Sequence, residues 1–277
     1  MSPVPRRITA AATMAVAGLA IASGATAAPT DPTPTDAARR AGITEPGQAS
    51  MGWRLQDERM SAHSAGSAAS TPSGVPGIDV SSHQGTVDWG AQRASGKKFA
   101  YVKATESNSY TNPSFGQQYN GSYSSGMIRG AYHFAIPSSS GGTTQAEYFV
   151  RHGGGWSSDG KTLPGALDME WNPYGATCYG KSRSQMRSWI NSFLNRYEYR
   201  TGRYPVIYTN TSWWNECVGH DTSFSRKSPL WIARYGSTPG TLPTGWDVRT
   251  FWQYTDQPID QNVFNGAYWR LYWFAKS

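Results

Sequence analysis

The hydrophobic positions of this chain fall into short apolar runs that alternate with stretches of helical spacing. The apolar runs predict strands at residues 77–81, 99–104, 128–134, 164–171, 204–209, 229–235 and 250–254. Helical spacing predicts helices at 89–94, between Pro113 and Gly126, at 142–150 and after Ser182. This alternation predicts an α/β fold with a largely parallel sheet and right-handed crossovers, either open or closed into a barrel.

The helix after Ser182 has the strongest local signals. Ser182 and Gln185 have the spacing of a capping box, in which each side chain bonds the backbone N–H of the other residue. Six apolar residues then recur at helical period: Met186, Trp189, Ile190, Phe193, Leu194 and Tyr197. We therefore expect an amphipathic helix with one buried face.

Residues 1–27 have the pattern of a secretory signal peptide. Arg6 and Arg7 precede an apolar run at 8–22, and the small residues at 25–27 resemble a cleavage site. The apolar run is too short and too interrupted to span a bilayer. We expect a secreted, extracellular protein without membrane insertion.

Residues 28–73 are rich in Ala, Ser, Thr, Pro and Gly and contain few aromatic or β-branched residues. Such a segment has too little buriable surface to offset the entropy lost on ordering, so it is predicted to be a flexible linker or pro-segment. Residues 74–277 then remain for one domain with a sizeable core.

The charge balance bears on the choice of partner. The chain has 25 basic and 18 acidic residues, and loss of Arg6 and Arg7 leaves 23 against 18, a net charge of +5. The basic residues are scattered and form no run with interleaved aromatics, which argues against nucleic acid. The charge suits an anionic polymer such as a bacterial wall, or serves solubility alone.

Two cysteines, Cys178 and Cys217, lie in the part of the chain predicted to be exported. A disulfide between them is therefore the default expectation, rather than a catalytic thiol. Since no histidine pair lies nearby in the sequence, zinc is not expected.

The most informative feature is a pair of acids one residue apart, Asp168 and Glu170, inside an apolar run. In a strand, residues i and i+2 point to the same face, about 6 to 7 Å apart. Repulsion at that distance favours one protonated and one charged carboxyl group near neutral pH. Glycosidic bond cleavage needs such a combination, because one acid donates a proton and the other stabilises positive charge.

Several polar residues share one position in the predicted fold. In parallel barrels the chemistry lies at the carboxyl ends of the strands, where this sequence has Asp79, Tyr132, Asp168, Glu170, Tyr208 and Gln253. The chain also has 12 Trp and 16 Tyr, which serve either to stack on sugar rings or to fill the core.

Seven sequence motifs resemble glycoside hydrolase family 25, the Chalaropsis-type lysozymes, in the family's order. They are Gly77-Ile78-Asp79-Val80-Ser81, Ala100-Tyr101-Val102-Lys103-Ala104-Thr105-Glu106, Arg129-Gly130-Ala131-Tyr132-His133-Phe134, Leu167-Asp168-Met169-Glu170, Val206-Ile207-Tyr208-Thr209, Phe251-Trp252-Gln253-Tyr254 and Ile259-Asp260-Gln261-Asn262-Val263-Phe264-Asn265-Gly266. The resemblance covers residues 74 to about 267. One departure is Ser82-His83-Gln84, where the family usually has a Trp before the Gln.

The resemblance implies a flattened, incomplete TIM-like barrel without metal or cofactor. It implies hydrolysis of the β-1,4 bond between N-acetylmuramic acid and N-acetylglucosamine in peptidoglycan. Glu170 would be the general acid and base, with Asp168 beside it, and Asp79 and Asp260 would complete an acidic cluster. The sugar-binding groove would be lined by Tyr132, Tyr208, Trp231 and Gln253.

Two mechanisms stay open at this point. Asp168 could attack the anomeric carbon, or it could orient the substrate's acetamido group as that group attacks; the resemblance favours the second route, with retention. Two other functions also stay open: a peptidoglycan-binding module without turnover, and an endo-glycosidase on another N-acetylated polymer. A chitinase is disfavoured, since Ala166 stands where chitinase-like barrels have an Asp. A monomer is expected.

Overall fold

The computed structural model describes Met1, residues 32–55 and residues 72–277. Its central feature is a barrel of eight strands, with a ninth short strand on the outside. The strands are β1 (Val75–Val80), β2 (Phe99–Glu106), β3 (Tyr110–Thr111), β4 (Ile128–Phe134), β5 (Ala166–Asp168), β6 (Val206–Thr209), β7 (Leu230–Ala233), β8 (Phe251–Thr255) and β9 (Gln261–Phe264). The predicted single-domain α/β barrel is confirmed.

The barrel departs from a regular (β/α) barrel at its last strand. From β1 through β2, β4, β5, β6 and β7 to β8, each neighbouring pair is parallel. Strand β9 runs antiparallel to both β8 and β1 and closes the barrel between them. Only residues 256–260 connect β8 to β9. Because so short a connection cannot carry a parallel crossover, β9 has to reverse direction.

The helices are α1 (Asp36–Arg40), α2 (Trp89–Ala94), α3 (Phe115–Ser124), α4 (Gly142–Phe149), α5 (Arg183–Thr201), α6 (Thr211–Cys217) and α7 (Tyr268–Lys276). Two 3₁₀ turns (Ser82–Gln84 and Phe224–Arg226) and a π-helical turn (Val150–Gly154) are also present. None of the helices in the described ranges is both long and apolar enough to cross a membrane.

Helix α5 begins at the predicted capping box. The Gln185 backbone N–H donates to Ser182 Oγ at 3.3 Å, and the Ser182 N–H donates to Gln185 Oε1 at 2.9 Å. All six apolar residues of the predicted stripe are buried. The capping box and the amphipathic pattern of this helix are therefore both confirmed.

The barrel interior is filled largely by aromatic rings. Tyr101 and Trp231 have ring centroids 4.7 Å apart, and Trp231 lies 5.7 Å from Phe251. Below the carboxyl rim the barrel is therefore a packed core and not a channel.

The predicted disulfide is present. Cys178 and Cys217 are bonded with their Cα atoms 5.3 Å apart. The bond joins the loop that follows the acid pair to the last residue of α6, and so braces one side of the carboxyl rim.

The segment that was predicted to be flexible, residues 28–73, is ordered in its described residues 32–55. Within residues 32–55, α1 is capped by Thr35, whose Oγ1 accepts from the Ala38 N–H at 3.2 Å. Six of its apolar residues are buried: Ala38, Ile43, Ala49, Met51, Trp53 and Leu55. These six side chains provide buried apolar surface, although the segment as a whole contains few large apolar residues. Residues 32–55 belong to the same compact unit as the barrel. The predicted signal peptide lies outside the described residues except for Met1.

Candidate active site

Four acids meet at the carboxyl rim of the barrel. Asp79 lies near the end of β1, Asp168 is the last residue of β5, Glu170 follows two residues later, and Asp260 directly precedes β9. Repulsion from Asp79 contributes to raising the pKa of each of the other three. The structure therefore brings together all four acids that the sequence analysis named.

The Asp79 carboxylate accepts hydrogen bonds from two side-chain amides. Its Oδ2 accepts from Gln253 Nε2 at 2.9 Å and from Asn262 Nδ2 at 2.7 Å. Tyr208 donates in turn to Gln253 Oε1 at 2.7 Å, and Trp231 Nε1 donates to Asn262 Oδ1 at 2.9 Å. Burial raises the pKa of Asp79 to about 6, and the two amide donors limit that rise because they favour the charged form.

Asp168 and Glu170 form the most strongly interacting pair. Burial, followed by repulsion from Glu170, raises the pKa of Asp168 well above its usual range. Burial likewise raises the pKa of Glu170 to about 8, against the hydrogen bond that it receives from the Gly52 N–H. At neutral pH the pair therefore retains a proton, which belongs to the pair more than to either residue.

The local geometry of the pair differs from the prediction in one respect. Strand β5 ends at Asp168, so Glu170 lies beyond the strand and not within it. The Tyr179 hydroxyl donates to the Glu170 carbonyl oxygen at 3.0 Å and holds this stretch of backbone at the rim. The two acids share a site because of this loop, and not because of a strand repeat.

Asp260 is joined to the cluster through Tyr235. The Tyr235 hydroxyl lies 3.4 Å from Asp260 Oδ1, and the Asp79 N–H donates to the Asp260 carbonyl oxygen at 3.3 Å. Burial, followed by repulsion from Asp79 and then Asp256, raises the pKa of Asp260 well above its usual range.

A buried ion pair lies beside the acids. Lys103 Nζ is 2.6 Å from Glu106 Oε2, and both side chains are almost fully buried. The Tyr174 hydroxyl donates to Glu106 Oε1 at 2.5 Å. The positive charge of Lys103 lowers the pKa values of Asp168 and Glu170 and so partly opposes the effect of burial.

Residues 47–53, which we call the covering segment, lie over this cluster. The Gly52 N–H donates to Glu170 Oε1 at 2.8 Å, and Lys103 Nζ donates to the carbonyl oxygens of Gly47 and Ala49. With the segment in place, only 1% of Glu170 is exposed. A remaining cavity of about 190 Å³ lies beside the segment and is lined in part by Tyr235 and Asp260. A part of the chain outside the barrel strands thus contacts the acid cluster directly.

Three of the four predicted groove residues contact the covering segment. The Met51 backbone lies against the Tyr132 hydroxyl. A Cβ added to Gly52 would lie 2.7 Å from Gln253 Oε1 and 3.1 Å from the Tyr208 hydroxyl oxygen.

The fourth predicted groove residue, Trp231, contacts other aromatic rings of the barrel. It is fully buried, and its ring packs against Tyr101, Tyr208 and Phe251 inside the barrel. The position on β7 was predicted, but the side chain points into the barrel interior, where its indole N–H orients Asn262. Through Asn262, Trp231 helps to hold Asp79, and its role in the groove stays a prediction.

Sequence reasoning missed Tyr235, Asn262 and Lys103 as site residues. Tyr235 lies two residues beyond β7, and Asn262 and Lys103 lie within quoted motifs, so a search for polar residues near every strand end would have included Tyr235 and Asn262. Lys103 has no such signal, because a lysine inside an apolar strand reveals its ion pair only once the fold is known.

One further group of possible metal ligands stands apart from the acids. Among the described residues, the ligand atoms of Cys178, Glu216 and Cys217 lie within 4.8 Å of one another. Both sulfur atoms belong to the disulfide, so they are not thiolates that could bind a metal.

Clustered carboxylic acids at the carboxyl rim of a mostly parallel barrel are an arrangement found in glycosidases. The family model "Glycosyl hydrolases family 25" matches residues 78–263. Lysozyme M1 of Streptomyces globisporus is 50% identical over 207 residues, covering 72% of this chain and 70% of its own. The N,O-diacetylmuramidase of Chalaropsis sp. is 49% identical over 200 residues, covering 70% of this chain and 95% of its own.

A solved structure gives the same result. The muramidase from Acremonium alcalophilum superposes with a TM-score of 0.72 at 52% identity, covering 73% of this chain and 99% of its own. The chain belongs to glycosyl hydrolase family 25 and is a glycoside hydrolase of the lysozyme type.

Proposed function

We propose that this protein is a secreted N-acetylmuramidase that hydrolyses the β-1,4 bond between N-acetylmuramic acid and N-acetylglucosamine with retention of configuration. The observation that carries the proposal is the cluster of four acids, Asp79, Asp168, Glu170 and Asp260, at the carboxyl rim of a family 25 barrel. The relatives named lysozyme and N,O-diacetylmuramidase support the choice of peptidoglycan.

In the first step, Glu170 donates its proton to the glycosidic oxygen as the bond from that oxygen to the anomeric carbon breaks. The substrate's own acetamido oxygen bonds to the anomeric carbon and gives a cyclic, positively charged intermediate. Asp168 accepts a hydrogen bond from the acetamido N–H, and its negative charge stabilises the intermediate.

In the second step, Glu170 takes a proton from water while that water attacks the anomeric carbon. The bond to the acetamido oxygen breaks, and both the acetamido group and the Glu170 acid are restored. Because two displacements occur at the same carbon, the configuration is retained.

The other residues of the site act on charge and position. Asp79, held by Gln253 and Asn262, adds negative potential that favours the protonated form of the Asp168–Glu170 pair. Asp260 is held beside it by Tyr235. Tyr132, Tyr208 and Gln253 lie where they could contact the sugar once the covering segment leaves. No metal or cofactor takes part in these steps.

The test measures reducing ends released from purified peptidoglycan and identifies them, after borohydride reduction, as muramitol or glucosaminitol. Because residues 47–53 cover the acids, the chain is assayed intact and after cleavage at a site-specific protease sequence introduced between residues 56 and 71, with both pieces present. We expect muramitol from the cleaved wild type, and a loss on the order of a thousandfold in Glu170→Gln, which cannot donate a proton.

Glu216→Gln is the matched control, because Glu216 is an exposed acid on α6 outside the cluster. It should retain wild-type activity. Release of glucosaminitol alone, or equal activity in Glu170→Gln, would contradict the proposal. Proton NMR of the first product would show the β-anomer for a retaining enzyme. A covalent sugar adduct on Asp168, detected by mass spectrometry with a slow fluorinated substrate, would replace the acetamido route by direct attack.

A further inference from the structure

We propose that the covering segment, residues 47–53, is an intramolecular inhibitor that occupies the sugar site and keeps the chain latent until it is displaced or cut away. This inference rests on the proposed muramidase function. It assigns a role to a part of the chain that lies wholly before the family match, which begins at residue 78.

The segment engages the residues that the reaction needs. The Gly52 N–H is hydrogen-bonded to Glu170 Oε1 at 2.8 Å, so the proposed proton donor already has a partner. The backbone of Met51 lies against the Tyr132 hydroxyl. Asp168 and Glu170 are buried, and a glycosidic oxygen cannot reach either of them while the segment stays.

The segment presents the same chemical groups as the substrate. An N-acetyl group is a secondary amide, with one N–H and one carbonyl oxygen, as is each peptide unit. Here a peptide N–H faces Glu170, and two peptide carbonyl oxygens, those of Gly47 and Ala49, accept from Lys103 Nζ. The backbone of the covering segment therefore satisfies donors and acceptors that would otherwise face an N-acetylated sugar.

The fit depends on the absence of a side chain at Gly52. Its φ of +75° is rarely adopted by residues with a Cβ, and a Cβ built there would lie 2.6 Å from the Tyr235 hydroxyl oxygen and 2.7 Å from Gln253 Oε1. Only glycine allows the backbone to approach the acids this closely.

Contacts on both sides of Gly52 hold the segment in place. Trp53 Nε1 donates to the Trp171 carbonyl oxygen at 3.2 Å, and the Arg54 guanidinium lies 5.5 Å from the Trp171 ring centroid. The Gly47 N–H donates to Glu106 Oε1 at 2.9 Å, and His83 bonds the Gln48 carbonyl oxygen. These contacts are distributed along the rim, as the contacts of a ligand bound in a groove are.

The covering segment occupies the site more fully because it is covalently connected to the barrel. A tethered segment acts at an effective concentration in the millimolar range, on the order of a thousand times that of a separate peptide at micromolar concentration. A cut between residues 55 and 72 therefore converts a persistent inhibitor into one that dissociates on dilution.

The first experiment compares the intact chain with the chain cut at the introduced protease site between residues 56 and 71. We expect peptidoglycan hydrolysis by the intact chain to rise on the order of tenfold or more after cutting and dilution. A synthetic peptide of residues 44–55 should suppress this gain competitively, raising KM without lowering kcat. Equal activity before and after cutting would overturn the proposal.

The second experiment displaces the segment without cutting. Gly52→Val adds a side chain that clashes with Tyr235 and Gln253, and we expect the intact variant to approach the activity of the cut chain. Gly42→Val is the matched control, since Gly42 also has a positive φ, +82°, but a Cβ there meets nothing within 4 Å. It should leave the intact chain latent. Equal activation by both variants would indicate general loosening and would contradict a specific blockade.

The outcomes separate this inference from the proposed function. If cut chain, intact chain and Gly52→Val all fail to release muramic acid ends, the muramidase proposal fails. If all three are equally active, the muramidase stands and the latency proposal fails. Binding of a chitooligosaccharide by calorimetry gives a readout independent of turnover: the cut chain should bind it, and the intact chain should not.

Discussion

The backbone N–H of Gly52 donates a 2.8 Å hydrogen bond to Glu170 Oε1 across 118 residues of sequence. This contact joins a segment outside the family match to the central acid of the site. Burial raises the pKa of Glu170 to about 8, and the hydrogen bond from Gly52 partly opposes that rise because it favours the charged form. The covering segment therefore occupies the space through which a substrate would reach Glu170.

The raised pKa of Glu170 predicts that stability falls as pH rises. The unfolded state loses the Glu170 proton near pH 4.5, whereas the native state keeps it to about pH 8, so the native state binds more protons between these values. The contribution is fully present below pH 4.5 and is lost as pH rises through this window, with a slope of at most about 1.4 kcal/mol per pH unit for one proton. Free energies of unfolding in urea at pH 5 and pH 8 measure it.

The Glu170→Gln variant isolates this effect. It should show a smaller fall in stability between pH 5 and pH 8 than the wild type. Some slope should persist, because burial also raises the pKa values of Asp79 and Asp168. Parallel pH profiles for the two proteins would show that Glu170 does not titrate as described.

The Lys103–Glu106 ion pair predicts a large cost for removing one partner. Lys103→Met leaves the Glu106 carboxylate buried without its cation, and we expect a loss of about 3–5 kcal/mol in the free energy of unfolding. The double variant Lys103→Met with Glu106→Gln should recover part of this loss. Arg39→Met, in the exposed pair with Asp36, should change stability by less than about 1 kcal/mol. Similar losses in both single variants would contradict the interpretation.

Asn262 is predicted to hold down the pKa of Asp79. Asn262→Ala removes one of the two amide donors to Asp79 Oδ2, so the charged form loses stabilisation. The pKa of Asp79 should rise by about one unit from about 6, as followed by carboxyl-carbon NMR. Asn265→Ala is the control, because that amide donates to the Arg249 carbonyl oxygen and not to Asp79. An unchanged or lowered Asp79 pKa in Asn262→Ala would refute the assignment.

The disulfide is predicted to contribute to stability but not to chemistry. Cys178 and Cys217 are 39 residues apart, for which the chain-entropy model gives about 4 kcal/mol as an upper value. The double variant Cys178→Ala with Cys217→Ala should lose up to that amount in urea unfolding. The cut chain should keep its activity at 25 °C, and a selective loss of activity without loss of stability would contradict this role.

Local signals in the sequence predicted much of the fold. The capping box of Ser182 and Gln185 and the stripe that follows identify α5, because helix signals act between residues three or four positions apart. The apolar runs located the strands from β1 to β8, with the exception of the two-residue β3, because a strand signal is also carried by residues close together in the sequence. Strand β9 and helices α6 and α7 were not predicted as elements. The residues of β9 entered the sequence analysis only as part of a motif. The direction of β9 follows from the short connection after β8.

Local patterns in the sequence predicted the strands, the helices and a largely parallel sheet, and its two cysteines predicted the disulfide. Asp79, Asp168 and Glu170 stand near predicted strand ends, which share one rim in a parallel sheet, whereas the closed barrel and Asp260 came from the resemblance to family 25. Tertiary structure decided what surrounds those acids. Trp231 points inward and supports Asn262, Lys103 pairs with Glu106, and Gly52 lies on Glu170. These contacts depend on barrel closure and on the fit of one backbone into one groove, and neither composition nor periodicity encodes such a fit. Averaged over residues 28–73, the chain appears too polar to fold; within its described part, a few buried apolar side chains and the lack of a Cβ at Gly52 allow residues 47–53 to pack against the acids.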